Sequence, residues 1–164
     1  MHRATRAERA GLWPENRAAG AVTLGFDDRH RRRVRLATDA GEEFLLDLPH
    51  ALSLEDGDGL QLDDGRWIAV RAAAESLIEV TAEPTLLTRL AWHLGNRHLP
   101  ARIEPRRILI RRDHVIADML SKLGATLRFI DAPFTPERGA YDDRHGDIHG
   151  HEHAHADAHH HDHD

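Results

Sequence analysis

From Ser76 to Phe134 the chain switches repeatedly between strand-like and helix-like periodicity, and this alternation constrains the fold more than any other feature. SLIEVTA (76–82) reads as a strand. Pro84 then opens a helix in which Leu86, Leu87, Leu90 and Leu94 recur at helical spacing, with Gly95 placed to end it. Two short strands, ARIE (101–104) and RILIRR (107–112), flank Pro105. Asp113 offers a side-chain oxygen to cap a second helix, where Val115, Ile116, Met119, Leu120 and Leu123 form one apolar face and Gly124 supplies the stop. ATLRFIDAPF (125–134) is the last strand. The resulting order, β-α-β-β-α-β, is the ferredoxin-like split motif.

The half before it has a different rhythm. Between Ala21 and Ala74, AVTLGF (21–26), RRVRLAT (32–38), EFLLDL (43–48), LQL (60–62) and RWIAVRA (66–72) read as short strands, and Asp-Gly turns separate several of them. The fold class is therefore α+β. A small all-β N-terminal domain (1–74) precedes a ferredoxin-like domain (75–142), and a histidine-rich tail (143–164) follows. The cluster Arg29, Arg31, Arg32, Arg33 and Arg35 is expected to form a solvated strand face. His2 is expected to lie outside ordered structure, while His30, His50 and His93 are expected to be structural or partly exposed.

After Tyr141 the composition breaks. Residues 143–164 hold nine of the fifteen histidines, six acids and one large apolar residue, Ile148. Such a segment cannot bury enough surface to offset the entropy of ordering, so it is expected to be disordered without metal. Residues 1–142 are nearly neutral, with 22 acidic against 21 basic side chains, which argues against a nucleic-acid partner. No apolar run is long enough for a membrane span and no leader pattern opens the chain, so the expected location is the cytoplasm. Cysteine is absent, so a borderline metal must be held by imidazole, carboxylate, backbone or water. His145, His149, His151, His153, His155, His159, His160, His161 and His163 alternate with small or acidic residues, a spacing that lets neighbouring rings converge on one ion. Such a ligand bank binds Ni(II), Zn(II) or Cu(II) and chooses poorly between them.

Choice comes from the folded part. HLGNRHLP (93–100), DHVIADMLSKLG (113–124), the element Pro133-Phe134-x-Pro136-Glu137-x-Gly139-Ala140-Tyr141 and the histidine-rich end occur in that order. Together they resemble the urease accessory protein E family, the nickel metallochaperones of urease assembly. The resemblance is strong over 76–164 and agrees with a β-rich, peptide-binding N-terminal module. It implies a homodimer that shares a nickel site through His98 from each subunit, with the urease accessory GTPase and the apo-urease assembly complex as partners. His114 is a second metal candidate. Some relatives carry another histidine two residues before it, but Arg112 stands there in this chain and leaves His114 a peripheral role.

Enzyme chemistry finds no support in the pattern. There is no GxxxxGK[ST] loop, no HExxH helix and no nucleophile with a local signature, so the chain is read as a non-enzyme. The competing reading is a passive nickel or zinc store acting mainly through the tail. A metal-dependent hydrolase would need several ligands at fixed spacing in the folded body, where the sequence offers only His98 and His114.

Overall fold

The computed structural model describes residues 1–138. Its N-terminal half is a six-stranded sheet built from β1 (His2–Glu8), β2 (Ala18–Leu24), β3 (His30–Ala37), β4 (Glu43–Ser53), β5 (Gly59–Leu62) and β6 (Trp67–Ala72). The spatial order is β2-β6-β5-β1-β4-β3. Phe44, Leu46, Leu48, Leu60, Ile68 and Val70 alternate along their strands and meet in one buried cluster with Val22 and Leu54. Full burial of side chains this size contributes about 1.5–3 kcal/mol each.

β1 corrects the expectation that His2 lies outside ordered structure. His2 opens the strand, which runs parallel to β4 and antiparallel to β5 near the middle of the sheet. Its sequence HRATRAE escapes pattern reading because its inward positions are alanines: Ala4 is fully buried and Ala7 packs against the cluster. β4 extends beyond the expected strand, through Pro49 to Ser53. The register against β3 shifts between Arg31 and Arg33, an irregularity that accommodates a proline inside a strand.

The second half comprises β7 (Ala74–Thr81), α1 (Pro84–Asn96), β8 (Ala101–Glu104), β9 (Arg107–Arg111), α2 (His114–Lys122) and β10 (Thr126–Pro133). Its sheet is antiparallel in the order β10-β7-β9-β8, the ferredoxin-like arrangement expected from the sequence. Leu87, Leu90 and Leu94 of α1 and Leu120 of α2 pack with Ile78, Val80, Ile108 and Ile110 on one face. On the other, Leu77 and Leu109 meet Phe134, with Phe26 packed against them. Among the described residues, no helix is long and apolar enough to cross a membrane.

The arginine cluster on β3 is not uniformly solvated. Arg31, Arg33 and Arg35 are exposed, but Arg29, just before the strand, is only 3% exposed. Its guanidinium donates to the carbonyl of Phe134 and to Thr135 Oγ1, so it ties the segment after β10 to the N-terminal sheet. Burial pushes the Arg29 pKa down, and Glu75, Asp56 and Glu55 oppose that shift. Arg138 pairs with Glu55 in the same region. The chain therefore leaves the described residues from an anchored position.

Candidate metal centre

The end of α1 decides how His98 is presented. The helix runs through Gly95 to Asn96, not stopping at Gly95 as its sequence suggests. Arg97 caps it, and the residue with positive φ is His98 itself, at 55°. His98 N donates to Gly95 O at 3.0 Å, and Leu99 N donates to Leu94 O at 3.3 Å. These are the two bonds of a Schellman motif with His98 in its left-handed position. Leu99 packs against the apolar cluster that contains Leu94, where the hydrophobic contact of such a motif falls. Arg97 also donates from its side chain to His93 O at 3.1 Å. A position normally given to glycine thus carries an exposed imidazole on a fixed backbone.

α2 starts close by in the fold. The Asp113 carboxylate accepts from Val115 N at 2.9 Å and Ile116 N at 3.0 Å, as the sequence predicts for its N-cap. His114 is the first residue of that helix and is exposed. A surface groove lined by Leu99, Pro100, Arg112, Asp113 and Ile116 joins the residue after His98 to the residue before His114. Beyond it, Phe129 and Ala117 flank His114, and the Arg112 guanidinium lies 4.6 Å from the centre of the Phe129 ring. The Arg112 guanidinium thus lies against an aromatic face. Trp92, Val115 and Phe129 are 65%, 62% and 59% exposed.

His98 and His114 belong to no group of three converging donors among the described residues. His93 is half-buried in α1 with its ring edge-on to Trp92 at 5.1 Å, and His30 and His50 are exposed. His145, His149, His151, His153, His155, His159, His160, His161 and His163 lie outside the described residues. The segment leading to them is placed, however. Glu137 N donates to Ala101 O at 2.8 Å, and the Glu137 carboxylate accepts from Ile103 N at 3.2 Å.

One group of three donors does converge, and sequence reading missed it. His2, Asp63 and Asp64 bring candidate ligand atoms within 4.8 Å of one another. His2 and Asp63 are 61 residues apart and meet only because β1 pairs with β5, so no local signal could have found them. Hydrogen bonding to His2 holds the Asp63 carboxyl below its usual range, and bonding to Arg66 does the same for Asp64.

Sequence comparison extends across both halves. The family described as the UreE urease accessory protein, C-terminal domain, matches residues 75–163, and the corresponding N-terminal domain matches residues 1–73. A urease accessory protein UreE from Ruegeria pomeroyi is 58% identical over 142 residues, covering 87% of this chain and 91% of that protein. One from Bradyrhizobium sp. ORS 278 is 56% identical over 142 residues, covering 86% and 67%. Another, from Chelativorans sp. BNC1, is 56% identical over 135 residues, covering 82% and 85%. Matches of this depth over both domains show that the chain belongs to the UreE urease accessory protein family.

Proposed function

We propose that this protein is a nickel metallochaperone of urease maturation: two copies share one Ni(II) between their His98 side chains, and the tail histidines supply it. It works in the cytoplasm, and the cargo passes to the urease accessory GTPase and the apo-urease assembly complex. Ni(II) is cargo, with Zn(II) and Cu(II) as competitors, and the protein performs no catalysis. The observation that carries this reading is His98. Its imidazole is exposed on a rigid helix cap, and its own described residues offer no converging partners. One nitrogen cannot hold an ion tightly, so further donors must come from a second copy or from the tail.

Both sources are physically accessible. The ferredoxin-like half leaves Trp92, Val115 and Phe129 exposed, side chains that a second copy would cover. An ion held between two chains then favours dimerisation by mass action. The tail starts near enough as well. Glu137 is bonded to Ala101, three residues past His98. The eight residues from Glu137 to His145 can span about 28 Å at full extension, against about 11 Å for the three from His98 to Ala101. His114 is assigned a peripheral part, because Arg112 is engaged with Phe129.

Calorimetry on a chain ending at Asp142 tests the proposal against passive storage. Retention of about one Ni(II) per dimer, with its loss in His98→Ala, is the expected result. A truncated chain that binds no nickel above the level of the substituted one would make the tail the whole function.

A further inference from the structure

We infer that the cavity between the N-terminal sheet and the segment after β10 is a binding site for a single carboxylate on a short aliphatic stem, received by the guanidinium of Arg29. The site shares no residue with His98, and it stands independently of the nickel proposal.

Residues far apart in sequence build this cavity. Phe26 and Leu54 from the N-terminal half, and Pro136 from the segment after β10, give it an apolar lining. Its volume is about 220 Å³. That is below the roughly 300–1,000 Å³ of sites for drug-sized ligands, so it suits a group the size of a side chain. Both walls are fixed. Leu54 N donates to Arg29 O at 2.8 Å, and the Phe26 and Phe134 rings meet edge-on at 5.6 Å. Glu137 N is held by Ala101 O on the far side.

Arg29 lines the cavity and is itself 3% exposed. Its Nη1 donates to Thr135 Oγ1 at 3.3 Å and its Nη2 to the carbonyl of Phe134, both neutral acceptors. Its Nε is buried and has no acceptor among the described residues. Folded proteins pair their buried charges and bond their buried donors, so this N–H points to an acceptor brought by a ligand. A water would satisfy the N–H but leave the guanidinium without a counter-charge in contact.

The chain's own carboxylates are engaged elsewhere. Glu75 accepts from Phe26 N at 3.0 Å, Asp56 accepts from Ala72 N at 2.8 Å, and Glu55 pairs with Arg138. These three act on Arg29 only through space, against the burial that pushes its pKa down. Glu137, which also lines the cavity, accepts from Ile103 N. Four carboxylates this close would repel a multiply charged anion such as phosphate. A monocarboxylate brings one charge, two oxygens and a stem for the apolar lining to cover. One oxygen accepts from Nε, and the other from the Thr135 hydroxyl, whose oxygen already accepts from Arg29 and keeps its proton to donate. Such a group comes either from a free small acid or from an acidic side chain of a partner polypeptide.

The test follows the Arg29 Nε–H resonance by NMR in the full-length, metal-free protein. Sodium propionate stands for the free acid and N-acetylglutamate methylamide for the side chain. Sodium chloride at equal ionic strength and N-acetylglutamine methylamide are the controls. The two carboxylates should shift Arg29 Nε–H and the Leu54 amide saturably at millimolar concentration, and the controls should not. Blocked glutamate binding at least as tightly as propionate assigns the site to a partner polypeptide, and tighter binding of propionate assigns it to a free acid. Ser53→Leu fills the cavity with Arg29 in place and should weaken binding at least tenfold. Hydrogen-exchange protection of the Leu54 amide reports whether that wall stays intact. Should Ser53→Leu disturb it, Thr135→Val removes the second donor, and the same weakening is expected. An Arg29 Nε–H that carboxylates move no further than chloride does, or shifts undiminished in an intact variant, overturns the inference.

Discussion

Replacing His98 by glycine should make the protein more stable while removing the nickel site it is proposed to build. His98 holds φ 55° at the C-terminal cap of α1. For an L-residue with a side chain, that region costs roughly 1–2 kcal/mol. Glycine relieves the strain but brings back about 0.5–1 kcal/mol of unfolded-chain entropy. The net gain is on the order of 0.5–1 kcal/mol, or about 1–4 °C in Tm for a chain of this length. Alanine keeps the strained backbone, so His98→Ala should stay within about 0.5 kcal/mol of the parent. Scanning calorimetry with chelator present reads stability apart from metal, and nickel titration of the same proteins reads the site. Both variants should lose the dimer-shared ion, and only the glycine variant should melt higher. A His98→Gly protein that melts below the parent would refute it, because the backbone would then be relaxed in a way the cap geometry contradicts.

Other consequences can be checked on the same material. Asp113→Ala removes the side chain that caps α2 and should destabilise by about 1 kcal/mol in urea unfolding. Gly59→Ala would place a methyl carbon 2.4 Å from the Trp13 ring, which is held by its own bond to Gly57 O. A loss of about 1–3 kcal/mol with altered tryptophan fluorescence is expected. Glu79 is buried and bonded by Arg107 and Arg128, which hold its pKa below the usual carboxylate value. Its stabilisation is therefore present above about pH 4.3 and is lost as pH falls through the lowered folded-state value. Glu79→Gln should flatten the acid limb of a stability-versus-pH curve. Nickel uptake by the tail should fall below about pH 6.5, because imidazole must be neutral to bind, and unchanged stoichiometry between about pH 7.5 and pH 5.5 would contradict it.

Legibility in the sequence followed the strength of local signals. The ferredoxin-like half was readable because each boundary carries its own chemistry: Pro84 opens α1, Asp113 caps α2 and Gly124 ends it. β1 was not readable, since Ala4 and Ala7 fill its inward positions and alanine contributes little to a hydrophobic pattern. Arg29 could not be distinguished from its exposed neighbours, because its partners Phe134 and Thr135 lie more than a hundred residues away in sequence. The same distance effect hid His2 beside Asp63 and Asp64. Long-range pairing decides each of these placements, and it leaves no periodicity behind.

Gly95-Asn96-Arg97-His98 shows how a motif can be recognised before its physics is understood. Read as a sequence, its glycine is the helix stop and its histidine a neighbour of that stop. In the fold the roles are exchanged: Gly95 is helical, and the chain turns at His98. A glycine at position 98 would satisfy the cap with less strain, so the backbone alone gives no reason for histidine there. What the imidazole gains is direction. The two Schellman bonds fix its Cα, while its ring stays exposed. Under the proposed function this combination is the useful one, since a buried ligand would bind but not release, and a tail ligand would release but not select. A strained, exposed and rigidly held histidine at the base of a histidine-rich tail meets both requirements.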